Sequence, residues 1–371
     1  MDPSAPRIVD ADGHVLEPLA IFSGLPEEWR PRIVKDARGF DRALVGDREI
    51  TRGPIGLTGI PGARMDDFER MRRTTWEEGH PGGSDAKLRL ADMDSEGIDA
   101  AVLYPTLGLW FWAVEEPAAA VALARAYNDW LAGYCAADPR RLFGAAMLPM
   151  QDPEAAAAEL RRAHGELGFR AAFVRPNPCL GRAIVHERNE GVWSAAEELG
   201  VAIAIHEASA TTIRTLGEDR PLNALVLHAV SHCLEQMLAC AQLMAFGVME
   251  RHPELRFAFL ESGGGWAPFW LERLDDQVRG FGGYCPQMKL LPSEYFARQC
   301  WIGFEAERAI VSAAREIGAD RIVWGSDYPH HDCLFPGATG KLLRQVAPLA
   351  DEERRRVLSE SAETLYRLPR A

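Results

Sequence analysis

The chain has 371 residues, of which 47% are hydrophobic and 26% are charged, and its formal net charge is −13. This composition is ordinary for a globular protein with a large core. The acidic balance argues against a nucleic-acid or anionic-membrane partner, because both kinds of partner require basic surfaces.

The cysteines and the N-terminus indicate the cellular compartment of the protein. The seven cysteines are scattered without a CxxC pair, which indicates reduced thiols rather than a disulfide framework. The first six residues lack the basic and apolar regions of a signal peptide. No apolar run approaches the roughly 18 residues needed to span a bilayer. We therefore expect a cytoplasmic protein without a membrane partner.

The first elements in chain order are a short strand and a long irregular stretch. Residues 7–12 predict the strand, and Gly13 permits a turn after it. From about residue 15 to 84 the chain is rich in Pro, Gly, Arg and Asp and only weakly periodic. Such a stretch is typical of a functional insertion, a lid or an oligomer contact. Residues 85–97 predict a helix that ends at Gly97.

From residue 98 onwards, predicted strands alternate with predicted helices. The strands lie at 100–104, 142–150, 171–175, 201–206, 255–261, 300–304 and 322–326, and helices follow them at 117–137, 154–167, 190–199, 221–252, from 266, at 307–317 and near the C-terminus. Several strands are apolar throughout, as in a parallel sheet covered by helices. The pattern predicts an α/β fold, a (β/α)8 TIM barrel, in which residues 1–371 form one domain with the insertion at about 15–84 after the first strand. A doubly wound sheet is the alternative, but no GxGxxG follows the first strand.

Polar residues follow the strands at the end where a barrel collects its catalytic groups. Asp12 and His14 follow the first strand, His206 follows the fifth, and Asp327 follows the eighth. Taken singly, each is as readily a turn residue, a helix cap or a packed histidine. Together they form a set of two imidazoles and two carboxylates, which suits zinc, manganese or another first-row divalent ion.

These segments resemble the amidohydrolase superfamily. The resemblance rests on Asp12-Gly13-His14, on His206 and on the run 325–330, and it extends to 92–102 and 260–266. It is closest to the branch that includes aminocarboxymuconate-semialdehyde decarboxylase and the resorcylate and carboxyvanillate decarboxylases. The resemblance implies a (β/α)8 barrel, one divalent metal ion, and C–C, C–N or C–O bond cleavage on a small organic acid. It also implies a homodimer.

The chain departs from this family at two positions. Many members have His-x-His after the first strand, whereas Asp12 takes the first position here, and a carboxylate is still a competent ligand. The family's catalytic histidine after the sixth strand is absent, and Glu261, or else Ser262, takes its place. No lysine follows the fourth strand, where Arg175 stands, and this disfavours a carbamate-bridged two-metal centre.

Three residues are candidates for the chemistry. Glu261 could move a proton if a dry pocket raises its pKa above its usual range. His232 competes for that role and lies one helical turn after His228, although both could simply be packing or surface residues. Arg175 could clamp a carboxylate with two hydrogen bonds, or pair with a neighbouring strand-end acid.

The aromatic run 110–112 could line a substrate pocket or pack against the insertion. We expect a metal-dependent enzyme acting on a small, possibly aromatic, acid, with non-oxidative decarboxylation favoured. Hydrolysis of an amide, ester or lactone by a metal-bound hydroxide, with Glu261 as base, is the second interpretation. A metal-free barrel that only binds or assembles with partners is the third.

Overall fold

A computed structural model describes residues 6–209, 211–305 and 307–369. Within these ranges, eight parallel strands form one sheet in the order β1-β5-β6-β7-β8-β9-β10-β11, and β2-β3-β4 form a separate antiparallel sheet. The strands are β1 Val9–His14, β2 Pro31–Lys35, β3 Asp41–Val45, β4 Arg48–Glu49, β5 Ala100–Tyr104, β6 Leu142–Met147, β7 Ala171–Val174, β8 Ala202–His206, β9 Phe257–Leu260, β10 Cys300–Phe304 and β11 Ile322–Trp324. The predicted (β/α)8 barrel is confirmed.

Helices follow the barrel strands and cover the outer face of the sheet. They are α1 Phe68–Arg73, α2 Ala86–Glu96, α3 Leu107–Trp110, α4 Pro117–Cys135, α5 Pro153–Gly165, α6 Glu190–Leu199, α7 Ala224–Ala245, α8 Val248–Arg251, α9 Trp266–Phe281, α10 Pro292–Gln299, α11 Ile310–Ile317, α12 Ala338–Val346, α13 Asp351–Arg355 and α14 Ser361–Tyr366. The Asp85 side chain caps α2, which ends at Gly97 in the left-handed conformation. The predicted helix at 221–252 is divided at Gly247, where φ is 76°.

The barrel strands are buried along their whole length. Every residue of β5, β8 and β10 is buried, because helices cover one face of the sheet and the opposite face fills the barrel. The first strand is displaced from its predicted position, since β1 runs to His14 and has a register shift between Asp10 and Gly13. His14 is therefore the last residue of a strand and not a residue beyond a turn.

The insertion covers one side of the barrel mouth. Its three short strands pair antiparallel, with Pro31 opposite Val45. Its aromatic residues meet the run after β5: the rings of Phe22 and Phe111 are 5.5 Å apart, and those of Trp76 and Trp110 are 6.5 Å apart. The aromatic run therefore packs against the insertion.

The first and last barrel strands meet at their carboxyl ends through loop hydrogen bonds. The His14 amide donates to the Tyr328 carbonyl oxygen at 2.6 Å, and the Asp327 amide donates to the Asp12 carbonyl oxygen at 2.9 Å. Between the strands that the structure describes, no ladder pairs β1 with β11. These bonds consequently form a seam that places two predicted ligand positions side by side.

Buried side chains reinforce this seam. Asp10 accepts hydrogen bonds from the Ser326 amide at 2.9 Å and from the Ser326 hydroxyl at 2.6 Å. Arg89 lies 3.5 Å from the Asp10 carboxylate and balances its charge. A Cβ atom at Gly325 would come within 2.5 Å of the Asp12 Cβ, so the close approach of the two strand ends requires glycine there.

Helix α7 is long and apolar enough, by length and composition, to cross a membrane. It differs in this respect from the expectation that no apolar run is so long. In the fold it is a barrel helix, because the Gln236 side chain donates to the carbonyl oxygens of Ile205 and Leu260 at 2.7 and 2.9 Å. These two bonds attach α7 to the ends of β8 and β9.

Candidate metal centre and active site

Two histidines present free ring nitrogens to the barrel mouth. His14 Nδ1–H donates to the Pro105 carbonyl oxygen at 2.8 Å, and His206 Nδ1–H donates to the Glu207 carbonyl oxygen at 2.8 Å. From these bonds we assign the Nδ1–H tautomer to both neutral rings, so Nε2 of each ring offers its unshared pair to a cation. Both rings are fully buried, so the backbone fixes their direction as it does for histidines that ligate metals.

Carboxylate oxygens converge on the same point. Within the described ranges, six buried side-chain atoms in this centre make no hydrogen bond: Asp12 Oδ1, His14 Nε2, His206 Nε2, Glu261 Oε2 and both oxygens of Asp327. Leaving buried polar atoms unpaired costs about 1–3 kcal/mol each, and more for a charge. Such a concentration of unpaired atoms is typical of a site that binds an ion.

The spacing of these atoms fits a cation. His14 Nε2 lies 3.6 Å from Asp12 Oδ1 and 3.3 Å from Asp327 Oδ1, and His206 Nε2 lies 3.3 Å from Asp12 Oδ1. Neighbouring ligands that each bind a first-row cation at about 2.0–2.2 Å are separated by about 2.8–3.6 Å. The structure thus brings Asp12, His14, His206 and Asp327 together, and their geometry fits one divalent cation.

Glu261 adds a further oxygen to this centre. Its Oε2 atom lies 3.4 Å from His206 Nε2, and its ligand atom groups with those of His14, Asp327 and His330 within 4.8 Å. Both Glu261 and Asp327 adopt left-handed backbone conformations, with φ of 49° and 54°. Residues with side chains rarely adopt this conformation, and such strain concentrates at functional sites.

The charges at the centre are crowded. Burial raises the pKa of Asp12, although the charge of His206 opposes this effect. Burial, together with the charges of Glu261 and Asp332, raises the pKa of Asp327 well above its usual range. Burial holds the pKa of His14 well below its usual range, so the ring is neutral. A divalent cation relieves the repulsion among the carboxylates and needs the neutral form of the histidine.

His330, which sequence reasoning did not separate from its neighbour His331, lies within the centre. The Thr106 hydroxyl donates to the Val15 carbonyl oxygen at 2.7 Å, so the same oxygen accepts from His330 Nε2–H at 2.9 Å. His330 Nδ1 then lies 2.7 Å from Asp327 Oδ1. Burial lowers the pKa of His330 to about 4, so a neutral ring directs an unshared pair at a carboxylate. A proton or a cation must lie between them.

His232 reaches the centre from α7 and pairs with Glu261. Its Nδ1–H donates to the His228 carbonyl oxygen at 3.0 Å, and its Nε2 lies 3.3 Å from Glu261 Oε1. Burial opposes the charge on His232, but the Glu261 carboxylate outweighs burial and raises the pKa of His232 to about 9. His232 is therefore an imidazolium near neutral pH.

The condition set for Glu261 as a proton carrier, a pKa raised by a dry pocket, is not met. Glu261 is buried, which by itself raises its pKa, but the positive charge of His232, and that of His206 when no cation is bound, outweigh burial and hold the pKa well below the usual range. Glu261 is consequently an ionised carboxylate between the cation centre and His232. Of the two candidates for the proton carrier, His232 is the one that holds a proton near neutral pH.

Arg175 lies beneath the centre in a closed network. Its guanidinium pairs with the Glu207 carboxylate, and it donates to Asn177 Oδ1 at 3.0 Å, to the Leu109 carbonyl oxygen at 3.0 Å and to the Ala208 carbonyl oxygen at 2.8 Å. The side chain is fully buried. This is the ion pair with a strand-end acid, the second of the two interpretations of Arg175, because these contacts occupy the face that a carboxylate clamp would need.

Comparison with known protein families assigns a family to the chain. The family model described as amidohydrolase matches residues 9–368. The chain belongs to the amidohydrolase family.

Characterised relatives of this amidohydrolase are distant. It is similar to 2-amino-3-carboxymuconate-6-semialdehyde decarboxylase of Dictyostelium discoideum, with 26% identity over 75% of either chain. It is also similar to the gamma-resorcylate decarboxylase of Rhodococcus jostii, with 27% identity over 84% of this chain and 96% of the relative. Among solved structures, an amidohydrolase from Mycobacterium avium subsp. paratuberculosis superposes with a TM-score of 0.79, at 24% identity, over 97% of this chain and 99% of the other.

Proposed function

We propose that this amidohydrolase is a metal-dependent decarboxylase that releases CO2, without oxidation, from a small aromatic acid. The observation that carries the proposal is the imidazolium of His232. It contacts one oxygen of Glu261, and the other oxygen of Glu261 faces a centre whose geometry fits a divalent cation. Both characterised relatives named above are decarboxylases, which supports the same reaction type here.

Asp12, His14, His206 and Asp327 would hold the cation, and Glu261 adjoins them. When bound, the cation supplies positive charge that orients the oxygens of an acid and stabilises negative charge developing on them. Zinc and manganese are the candidate ions, and the number of carboxylate oxygens around two imidazoles favours the harder ion, manganese.

The residues of the chain supply the proton. His232 carries a proton at Nε2, because its Nδ1–H is engaged with the His228 carbonyl oxygen. In decarboxylation the ring carbon that bears the carboxylate accepts this proton, and the C–C bond then breaks to release CO2. The electron pair of that bond returns to the ring, and His232 is left neutral until solvent reprotonates it. Glu261 favours the protonated form of His232 and so helps to restore it after each turnover.

Hydrolysis is the second candidate, because an ionised Glu261 is also suited to accept a proton from water. It requires His232 only as a partner of Glu261, whereas decarboxylation requires the proton on His232. The two reactions thus assign different roles to the same pair.

We further propose that the whole chain acts as one barrel domain, in the cytoplasm, as a homodimer without nucleic-acid or membrane partners. Large exposed apolar side chains on two neighbouring helices support the dimer, namely Leu225, Leu234, Leu238 and Phe246 on or after α7 and Phe269 and Phe281 on α9. Exposed apolar side chains that cluster on a surface are commonly covered by a partner. Sedimentation equilibrium that gives the mass of a single chain would rule the homodimer out.

The proposal is tested with a panel of hydroxybenzoates and related aromatic acids, assayed for CO2 release, beside a panel of esters and lactones, assayed for hydrolysis. The manganese-loaded wild type should release CO2 and, in D2O, place one deuterium at the vacated carbon. The His232→Gln variant should keep its metal and lose about a hundred- to a thousand-fold in kcat, the range expected for removal of a general acid. Hydrolysis without CO2 release, or a His232→Gln variant of full activity, would contradict decarboxylation.

A further inference from the structure

A second group of ligand-type side chains lies at the mouth of the barrel, outside the centre described above. It consists of His228 on α7 and of His331 and Asp332 in the loop after β11, and one ligand atom from each lies within 4.8 Å of the others. None of these three residues belongs to the first set of ligands. Two imidazoles and one carboxylate are a common protein set for zinc and other first-row divalent ions, with water completing the coordination.

The distances in this group are those of ligands and not of hydrogen bonds. His228 Nε2 lies 3.6 Å from Asp332 Oδ2, and His331 Nδ1 lies 3.6 Å from Asp332 Oδ1. Both exceed hydrogen-bond length and match the separation of about 2.8–3.6 Å between neighbouring ligands of one cation. In the described part of the chain, moreover, the buried His331 Nδ1 atom makes no hydrogen bond. An unpaired nitrogen thus faces the carboxylate.

Acidic side chains surround this group of ligands. Asp332 lines an open cavity of about 210 Å³ together with Glu305, Glu307 and Lys341, in which three carboxylates face one ammonium group. The charges of Asp332, Glu261 and Glu307 add to the effect of burial and raise the pKa of Glu305 well above its usual range. These neighbouring carboxyl groups create a negative potential at the mouth, which favours a bound cation.

We propose that His228, His331 and Asp332 bind a second divalent cation, for which zinc is the best-matched ion, at the mouth of the barrel. This inference goes beyond the proposed reaction, since it concerns residues with no part in it. It also differs from a lysine-bridged pair of metals, because the three ligands are separate from the first set and include no lysine.

The second cation would connect two segments of the barrel mouth. It joins α7, which carries His232, to the loop that carries Asp327, so it fastens together the two segments on which the proposed proton donor and a metal ligand lie. The His228 and Asp332 side chains are 40% and 35% exposed, whereas the first ligands are buried. The second cation should consequently bind more weakly and exchange faster than the first.

The test is the zinc content of the metal-stripped full-length chain after titration with Zn2+ and equilibration at fixed free zinc. The wild type should bind two equivalents, in a tight and a weaker step, and His228→Gln, His331→Gln and Asp332→Asn should each keep only the tight one. His186→Gln is the matched control, because His186 lies elsewhere and accepts a hydrogen bond from the Arg188 amide. It should bind two equivalents.

Cobalt gives a second readout that does not depend on activity. The visible absorption added by the second equivalent of Co2+ should be absent from His228→Gln. In Asp12→Asn, in which the first site is impaired, the weaker step should persist, so loss of the first site and loss of the second are distinguishable. A wild type that binds one equivalent overturns the inference, as does a His228→Gln variant that binds two. Loss of the second equivalent in His186→Gln would show binding to surface histidines in general and would also overturn it.

Discussion

The two sides of the barrel mouth are built differently. On the seam side, Asp12 and His14 lie at the end of β1 and Asp327 lies in the loop after β11, and backbone hydrogen bonds join this loop to β1. On the helix side, Glu261 and His232 meet across the gap between a strand-end loop and α7, and side chains alone connect them. The seam side offers ligand positions for a cation. The helix side holds a proton on His232, and the pKa of His232 depends chiefly on the charge of Glu261.

The difference shows which kind of site is rigid. Ligands on the seam side cannot move without opening the barrel, whereas the His232–Glu261 pair depends on the position of α7, which Gln236 attaches to two strand ends. A change on the seam side should therefore remove the metal. A change on the helix side should leave the metal in place and alter the protonation.

The largest effect is expected from Asp12→Asn, which removes a ligand charge on the seam side with little change in shape. The variant should lose most of its bound metal. Its kcat/KM should fall about a thousand-fold or more, because a bound cation contributes several kcal/mol to the transition state. Elemental analysis beside steady-state kinetics measures both quantities, and unchanged far-UV circular dichroism is the control for folding. Full metal content in Asp12→Asn would mean that the cation lies elsewhere.

A smaller effect, about tenfold per pH unit, is expected from titration of the helix side. The pKa of His232 is raised to about 9 against the opposing effect of burial, chiefly by the Glu261 charge. The active form is protonated, so kcat should be constant near neutral pH and should fall above about pH 9. The pH profile of kcat for the metal-loaded enzyme measures this.

The same shift has a consequence for stability. Because the pKa of folded His232 lies above its ordinary value of 6.5, the pair stabilises the fold fully below about pH 6.5, and this contribution is lost as the pH rises through about 9. In His232→Gln, both this pH dependence of stability and the fall of kcat above about pH 9 should disappear. If kcat still falls above about pH 9 in this variant, the titrating group is a residue other than His232.

The smallest effect on chemistry is expected from Arg175→Met, which alters neither side directly. Removing one partner of a buried ion pair leaves the Glu207 charge uncompensated, at a cost of about 3–5 kcal/mol in the free energy of unfolding. Urea unfolding measures this cost, and Arg175→Met combined with Glu207→Leu should recover part of it. KM for the acid should change only a few-fold. A large rise in KM with unchanged stability would instead support the carboxylate clamp.

The placement of the candidate ligands on one rim was predictable from sequence because strand ends are local signals. Asp12, His206 and Asp327 each follow an apolar run, and parallel strands in a barrel end on one rim. The extent of β1 was not predictable, since the strand continues through a register shift between Asp10 and Gly13 and ends at His14, two residues beyond its predicted end.

The helix side was less predictable because its properties arise between segments distant in sequence. The spacing of His228 and His232 places them on one face of α7 but does not show which face meets the barrel. The pKa of Glu261 depends on His232, and the contacts of Arg175 depend on Glu207. The short strands of the insertion were missed because two to five residues between polar turns give too few alternations to identify.

The seam also sets a time order for maturation during synthesis. Asp10 and Ser326, which close it, are 316 residues apart in the chain, and Asp12 and Asp327 lie immediately beyond them. A ribosome at a typical rate of about 5–20 residues per second needs many seconds to pass from one to the other. During that time the growing polypeptide carries the first of the proposed metal ligands without the last one. A centre that needs Asp327 would therefore form only after the eighth barrel strand has been made.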